Sequence, residues 1–279
     1  MDSFQLLGAT TFVYLAATFC YTVFALFKIK WVGIVGTILT IAGLLLNTSG
    51  IGLRWVETYQ SGIGYVPLSN MYESLIFFAL SISAVYIVIE HYYKTRFMGS
   101  FVMPFAFTAM AYASYSSEFG KDIKPLLPAL QSNWLVAHVI TCFIGYAAFA
   151  IACGLAIFYL IKCWTPAPPE KEELASLSLG TLDLIIYKMM VFGFIWLTAG
   201  IVTGAVWANS AWGTYWSWDP KETWSLITWF VYAVALHARY TRGWDGARMS
   251  LMAIFGFVSV IITYYGVNFL LSGLHSYGG

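Results

Sequence analysis

Eight long apolar segments, separated by short polar stretches, constrain the fold of this chain more than any other feature. A helix that crosses a bilayer needs about 20 mostly apolar residues. Hydrophobic residues make up 60% of the chain and charged residues only 10%, which is typical of membrane proteins. The candidate spans cover approximately residues 4–27, 31–53, 70–91, 97–115, 131–162, 183–207, 224–240 and 248–272. We therefore predict an all-α integral membrane protein with about eight transmembrane helices, in one polytopic domain over residues 1–279.

The basic residues predict the orientation of these helices, because cytoplasmic loops carry an excess of Lys and Arg. Of the 14 basic residues, ten lie at one set of helix ends and four at the other. The ten are Lys28, Lys30, Lys94, Arg96, Lys162, Lys171, Lys188, Arg239, Arg242 and Arg248, and the four are Arg54, Lys121, Lys124 and Lys221. We expect both termini, and the loops around 54–69, 114–130 and 207–224, to lie outside. Because no basic residue precedes Lys28, we expect an uncleaved first span and no signal peptide.

Other patterns bear on the class of protein. The sequence shows no internal repeat and no charged residue in the middle of a span, so neither an inverted-repeat transporter nor an ion relay has support. The four cysteines, Cys20, Cys142, Cys153 and Cys163, form no C-x-x-C pair, and we interpret them as small core residues. We expect no nucleic-acid partner.

Residues 212–224 read Trp-Gly-Thr-Tyr-Trp-Ser-Trp-Asp-Pro-Lys-Glu-Thr-Trp, with four Trp and one Tyr in 13 residues. So many large rings at a membrane surface indicate a flat apolar ligand, and haem is the obvious candidate. The alternative is an interfacial aromatic belt, although belts scatter Trp and Tyr over many helix ends. We predict an outer haem-handling loop at about 207–224. Its candidate contact residues are Trp212, Tyr215, Trp216, Trp218, Asp219 and Trp224.

Two helix starts carry capping patterns. Asn70 precedes an apolar run with Glu73 three residues later, and Asp219 precedes Pro220 with Glu222 at the same spacing. These are N-cap patterns, with Pro at a first helical position in the second case. Capping is our first interpretation of Asp219, and direct contact with a ligand is the second.

The depth of the four histidines in the spans suggests which of them bind iron. His138 lies at the outer end of the fifth span and His275 at the outer end of the eighth, on the side of the Trp-rich loop. A neutral imidazole is a good axial ligand for haem iron, so the pair predicts a six-coordinate site. A hydrogen-bonded interhelical role is the alternative. His237 and His91 lie near the inner ends of their spans. The four outer cations are candidates for contacts with the haem propionates.

At these residues the chain resembles the haem-handling family of cytochrome c biogenesis proteins, whose "WWD" signature corresponds to residues 212–224. It most closely resembles the CcsA (ResC) branch of the system II machinery. Further motifs that match this branch are Pro-Leu-Ser-Asn-Met-Tyr-Glu-Ser-Leu at 67–75, Trp-Leu-Val-Ala-His at 134–138, Leu-His-Ala-Arg at 236–239 and the stretch 266–277. The resemblance covers roughly residues 60–279, whereas residues 1–60 match only as hydrophobic spans.

The resemblance implies that haem b is brought across the membrane with a CcsB (ResB)-type partner and joined to the C-x-x-C-H segment of an apocytochrome c. It implies a holocytochrome c synthase component, a thioether-forming lyase, in a bacterial inner membrane or a thylakoid membrane. By this resemblance His138 and His275 are the axial ligands of an external haem on the periplasmic or lumenal face. His237 is then one ligand of a haem inside the membrane, with the other from the partner or, outside the family pattern, from His91.

The substrate supplies the reacting thiols, so we predict no catalytic nucleophile in this chain, whose contribution is positioning. The resemblance also implies thiol-reducing partner proteins. Two alternatives stay open: a haem chaperone or exporter without a synthase step, and a membrane assembly subunit that binds no haem.

Overall fold

The computed structural model describes residues 2–116, 120–165 and 177–270, and within these ranges it contains helices and no strands. Eight long helices confirm the predicted all-α class. They are α1 (Ser3–Phe27), α2 (Lys30–Gln60), α3 (Met71–Tyr93), α4 (Gly99–Tyr115), α5 (Asn133–Trp164), α6 (Leu179–Trp212), α7 (Pro220–Arg242) and α8 (Gly246–Leu270). Six of them, all except α4 and α7, are long and apolar enough to cross a membrane. The protein is an integral membrane protein.

Two helices extend well past the apolar segments that predicted them. The second span was expected at 31–53, but α2 continues to Gln60, so much of the expected outer loop is helical. Likewise α6 continues to Trp212. In α2 the added turn is stabilised by polar contacts with other helices, since Glu57 accepts a 2.8 Å hydrogen bond from the Ser3 backbone N–H. The spacing of apolar residues in the sequence does not indicate such polar contacts between helices.

Polar caps begin several helices where the sequence predicts them. Asn70 accepts a hydrogen bond of 2.8 Å from the Glu73 backbone N–H and so caps α3. Asp219 and Glu222 form the predicted capping box at the start of α7, with Pro220 as its first residue. These caps satisfy backbone donors that a helix terminus leaves without a partner. Capping of α7 by Asp219 is therefore confirmed.

α1 and α2 pack as an antiparallel pair through large side chains on one helix and glycines on the other. Leu7, Tyr14 and Tyr21 of α1 lie against Gly50, Gly43 and Gly36 of α2. Both sets repeat every seven residues, which is the spacing of a continuous helix–helix seam. The absence of Cβ atoms lets the tyrosines reach past α2, so that Tyr14 lies 2.8 Å from Ser83 Oγ and Tyr21 donates to Glu90 at 2.6 Å on α3. This seam gives the first two helices a defined place in the bundle.

The helices alternate in direction, which places the motif-bearing helix ends at one end of the bundle. We name this end the Trp-loop face; it contains residues 61–70, 120–132 and 213–219. Contacts across it include Trp207 Nε1 donating to the Ala129 carbonyl at 2.8 Å. The opposite end, the basic face, carries Lys28, Lys94 and Arg239. α5 lies at the centre, and its apolar window is the most buried of the candidate spans.

Candidate functional site

A row of side chains on α5 lines two adjacent cavities beneath the Trp-loop face. His138, Cys142 and Tyr146 are spaced four residues apart and so lie on one side of the helix, and together with Lys221 they border both cavities. The larger cavity has a volume of about 200 Å³ and the smaller about 60 Å³. The predicted external ligand His138 therefore lies where the two cavities meet.

The larger cavity is bounded by the segment that begins α3 and by the end of α8. Ser69, Asn70 and Met71 contribute one wall, and Asn268 contributes another. From the sequence, residues 67–75 were identified only by their match to a motif of the CcsA (ResC) branch, and no function was assigned to them. Here the N-cap of α3 fixes the backbone of that motif beside His138.

The smaller cavity is bounded by the Trp-rich loop. Tyr215 and Trp216 of this loop contribute to its wall, with Gly204 of α6 on the other side. The sequence predicted that His138 lies beside the aromatic loop, and this juxtaposition is confirmed.

The ring of His138 is held in one orientation by α6. Its Nδ1 lies 2.7 Å from the carbonyl oxygen of Gly200. A carbonyl only accepts hydrogen bonds, so Nδ1 carries a proton, and in the neutral ring Nε2 then carries the lone pair. The ring also lies nearly parallel to the buried Trp207, with 6.0 Å between ring centroids and 19° between planes. This tautomer is the one that ligates a metal through Nε2.

Glycines on α6 make this approach possible. A Cβ on Gly204 would lie 2.7 Å from Cε1 of His138, and one on Gly200 would lie 2.5 Å from the sulfur of Cys142. Both distances are too short for real contacts, so the two helices come this close only because glycine stands at both positions. The four-residue spacing of Gly200 and Gly204 on the sixth predicted span was the sequence feature that could have indicated this close approach of the helices.

The Trp-rich loop is shorter than predicted and is fixed by one carboxylate. The expected segment 207–224 consists of the end of α6, residues 213–219 and the start of α7. Glu222 accepts hydrogen bonds from the Ser217 and Asp219 backbone N–H groups at 2.7 and 3.1 Å. Trp218 is held at a φ of +60°, a left-handed conformation uncommon for a residue other than glycine.

The predicted aromatic residues have different surroundings. Trp216 lies edge-on to Trp218, at 5.7 Å between centroids, and Trp218 is 69% exposed. Trp212 packs on Trp207 at 5.0 Å, and Trp224 belongs to α7. Of the candidate aromatic residues, Tyr215 and Trp216 therefore line a cavity. Trp207, which was not among the predicted contact residues, lines the larger one.

The four outer cations differ in their burial and in their partners. Arg54 is buried, with Nε 2.8 Å from Glu73 and Nη2 3.0 Å from the Lys121 carbonyl. Lys124 is exposed. The pKa of Tyr65, which neighbours this ion pair, is raised to about 12, first by burial and second by the charge of Glu73. This phenol therefore stays protonated. Among the four, Lys221 is the one that borders the cavities.

Lys221 and Asn268 connect the start of α7, directly after the Trp-rich loop, to α8. Lys221 Nζ donates to Asn268 Oδ1 at 2.9 Å, and Asn268 Nδ2 donates to the Tyr264 carbonyl at 2.8 Å. A π-helical turn at Ile262–Gly266 precedes Asn268, and such turns shift the register of the residues that follow them.

The remaining predicted ligands lie elsewhere or outside the described residues. His275 lies outside the described residues. His237 is exposed near the basic-face end of α7, and His91 is exposed near that end of α3. α7 packs against α6 and α8, whereas α3 packs against α2, α4 and α5. His91 is therefore poorly placed to join His237 within one chain. All four cysteines are free thiols.

Comparison with known proteins identifies the family. Residues 68–275 match the family described as "Cytochrome C assembly protein". Proteins described as "Cytochrome c biogenesis protein CcsA" are similar over nearly the full length. The one from Gloeobacter violaceus is 38% identical, over 98% of this chain and 93% of the relative. The one from Guillardia theta is 43% identical, over 90% and 88%. The one from Synechocystis sp. is 38% identical, over 100% and 98%.

A solved structure titled "Cytochrome c Heme Lyase CcmF" shares the fold, with a TM-score of 0.73 and 16% identity. The match covers 98% of this chain and 48% of that one, so this chain spans about half the length of that protein. The predicted resemblance is confirmed: the chain belongs to the cytochrome c assembly protein family, in its CcsA group of cytochrome c biogenesis proteins.

Proposed function

We propose that the Trp-loop face receives haem b and presents it for covalent attachment to an apocytochrome c. Membership of the family means that the chain takes part in cytochrome c maturation. The observation that carries the proposal is the position of His138, with its lone pair on Nε2, between two cavities of which one is walled by Tyr215 and Trp216. A fixed imidazole beside aromatic rings is a suitable environment for a haem edge.

The size of the cavities favours a haem that is only partly enclosed. Pockets that enclose drug-sized ligands have volumes of roughly 300–1,000 Å³, and the larger cavity here has about 200 Å³. Haem would enter by one edge, with the rest of the ring against the exposed Tyr215 and Trp218. A partly exposed haem is what the reaction needs, because a peptide must reach the vinyl groups.

We propose His275 as the second axial ligand of this external haem. It follows α8 by five residues beyond Leu270, and that helix ends on the Trp-loop face. His237, near the basic face, is our candidate for one ligand of a haem inside the membrane. Its partner ligand would come from a CcsB (ResB)-type protein, since the packing of α3 makes His91 the weaker candidate.

We propose that all eight helices span the membrane and that the Trp-loop face and both termini lie outside. The excess of Lys and Arg on the basic face supports this orientation. The active face would then be periplasmic in a bacterial inner membrane or lumenal in a thylakoid. Thiol-reducing proteins would act at the same face.

The reaction adds two cysteine S–H groups of a C-x-x-C-H segment across the two haem vinyl groups. Each addition forms one C–S bond, moves the thiol hydrogen to the other vinyl carbon and converts the double bond to a single bond. No electrons are lost or gained in the addition, so no oxidant is consumed. The chain contributes orientation through His138 and the aromatic loop, and the substrate histidine would replace one axial ligand on product formation.

Reduced-minus-oxidised absorption spectra test the proposal. The full chain would be purified alone and with its CcsB-type partner, as wild type, His138→Ala, His275→Ala and His91→Ala. We expect a six-coordinate b-type signal whose external-haem component either of the first two substitutions abolishes and added imidazole restores, while His91→Ala leaves that component unchanged. Retained signal and synthase activity in both variants without imidazole would refute the ligand assignment.

Two outcomes would favour the alternatives. Haem binding without conversion of an added apocytochrome, in the presence of the partner and reductant, would indicate a chaperone or exporter. A folded protein that carries no haem at normal haem supply would indicate an assembly subunit.

A further inference from the structure

We propose that Lys221 is the anion-recognition residue of the Trp-loop face and binds a carboxylate of the ligand, a haem propionate. The inference rests on the proposed function and adds to it the group that recognises the polar edge of haem. It singles out one of four outer cations that the sequence could not separate.

The first support is that the ammonium of Lys221 has few protein partners. A Lys ammonium has three N–H donors. Among the described residues, the Nζ atom of Lys221 has one hydrogen-bond acceptor, the neutral Asn268 Oδ1 at 2.9 Å, and it forms no ion pair. The charge of Asp219 acts on this ammonium without an ion pair between the two groups, and a partly buried cation is costly unless a direct counter-charge stabilises it.

The nearby carboxylates are engaged elsewhere. Asp219 accepts a hydrogen bond from the Lys221 backbone N–H at 3.0 Å and caps α7. Glu222 accepts from the loop backbone at Ser217 and Asp219. Both carboxylates therefore stabilise the backbone around Lys221 while its ammonium borders the cavities.

The position of Lys221 fits a ligand that also contacts His138. Both residues border both cavities, so one molecule can reach the imidazole and the ammonium together. Haem offers a partner to each of them, because its iron can bind the imidazole and a propionate carboxylate at its edge can bind the ammonium. Asn268 acts as a positioning residue, because its amide is fixed by the Tyr264 carbonyl and orients the ammonium.

The other outer cations do not offer this arrangement. Arg54 is paired with Glu73. Lys121 donates to the Ser114 carbonyl at 2.7 Å and lies 5.4 Å from the ring centre of Phe4. Lys124 is exposed. A substitution of Lys124 is therefore a matched control for loss of one positive charge on the same face.

The experiment compares haem with its dimethyl ester, in which both propionates are neutral. Wild type, Lys221→Gln, Lys221→Arg, Asn268→Ala and Lys124→Gln would be titrated with each porphyrin as full chains in complex with the partner. We expect wild type to bind the diacid about 10- to 100-fold more tightly than the ester, the range of one charge-assisted hydrogen bond. Lys221→Gln should lose this preference while keeping the wild-type affinity for the ester, which also shows that the variant is folded.

The other variants sharpen the result. Lys221→Arg should keep part of the preference, Asn268→Ala should weaken it, and Lys124→Gln should keep it in full. Equal binding of diacid and ester by wild type, or an unchanged preference in Lys221→Gln, would overturn this inference and leave the proposed haem site standing. Binding of neither porphyrin by wild type would overturn both.

Discussion

The Nδ1 atom of His138 lies 2.7 Å from the carbonyl oxygen of Gly200, so a backbone group of α6 fixes the ring on α5. The same carbonyl accepts a hydrogen bond from the Thr203 hydroxyl at 3.1 Å. Because this carbonyl is a backbone group, no substitution of a side chain removes it directly, although Cys142 Sγ also lies 3.6 Å from Nδ1. The position of the ring therefore depends on the close approach of the two helices, which Gly200 and Gly204 allow, and of these Gly204 faces the ring itself.

Gly204→Ala should displace the His138 ring and weaken external haem binding. The new Cβ would lie 2.7 Å from Cε1 of the ring, and forced overpacking of this kind costs about 1–3 kcal/mol. We expect a loss of affinity of about tenfold and a changed Soret spectrum, measured by haem titration. Gly180→Ala, on the same helix, is the control, because among the described residues its Cβ would meet only Ser178 Oγ, at 3.9 Å. A Gly204→Ala protein with wild-type affinity and spectrum would contradict the argument.

Glu222→Ala should loosen the Trp-rich loop, and Glu222→Gln should largely preserve it. The carboxylate accepts from the backbone of Ser217 and Asp219, and an amide oxygen can still accept these bonds. Leaving such donors without a partner costs about 1–3 kcal/mol. Iodide quenching of Trp fluorescence and thermal unfolding would measure the change. Equal quenching and equal stability in the two variants would show that another contact holds the loop.

Arg54→Leu should destabilise the protein strongly because it leaves Glu73 buried without its counter-charge. Both residues are nearly inaccessible to solvent, and their side chains lie 2.8 Å apart. Removing one member of a buried pair costs about 3–5 kcal/mol, whereas replacing both with apolar residues is often tolerated. We expect the double variant Arg54→Leu/Glu73→Leu to recover much of the loss in denaturant unfolding of the purified protein. Lys124→Leu, at an exposed site, should change stability by less than about 0.5 kcal/mol. A double variant no more stable than the single one would contradict the ion-pair explanation.

The sequence predicted eight helices because apolar segments can be recognised without tertiary information, although six of the eight are long and apolar enough to cross a membrane. It also predicted the caps at Asn70 and Asp219, since capping depends on residues within one turn. The far end of α2 was not predictable in this way. Its last turn is polar, and it is helical because Arg54 and Glu57 bind partners on α3 and α1.

Sequence analysis located His138 correctly beside the Trp-rich loop but could not find what orients it. The Gly200 carbonyl and the approach at Gly204 depend on how α5 and α6 face each other, which a single sequence does not reveal. The same limit applies to Lys221, because only the structure shows that Asp219 and Glu222 bind backbone N–H groups and form no ion pair with its ammonium. The assignment of His275 stays a prediction.

Substitution of both Trp216 and Trp218 by Ala should weaken external haem retention more than His91→Ala does. Trp216 lines the smaller cavity and its ring is supported edge-on by Trp218, whereas His91 lies near the opposite end of the bundle. Loss of a central Trp from a binding surface commonly costs 2 kcal/mol or more, which corresponds to roughly 30-fold in affinity. Haem retained through size-exclusion chromatography, quantified as a pyridine haemochrome, measures the effect. Trp218→Ala alone should cost less than Trp216→Ala, because Trp216 lines the cavity beside His138 whereas Trp218 would meet only the part of the haem outside it. If His91→Ala released more external haem than the double Trp variant, the aromatic loop would not be the surface that holds the porphyrin.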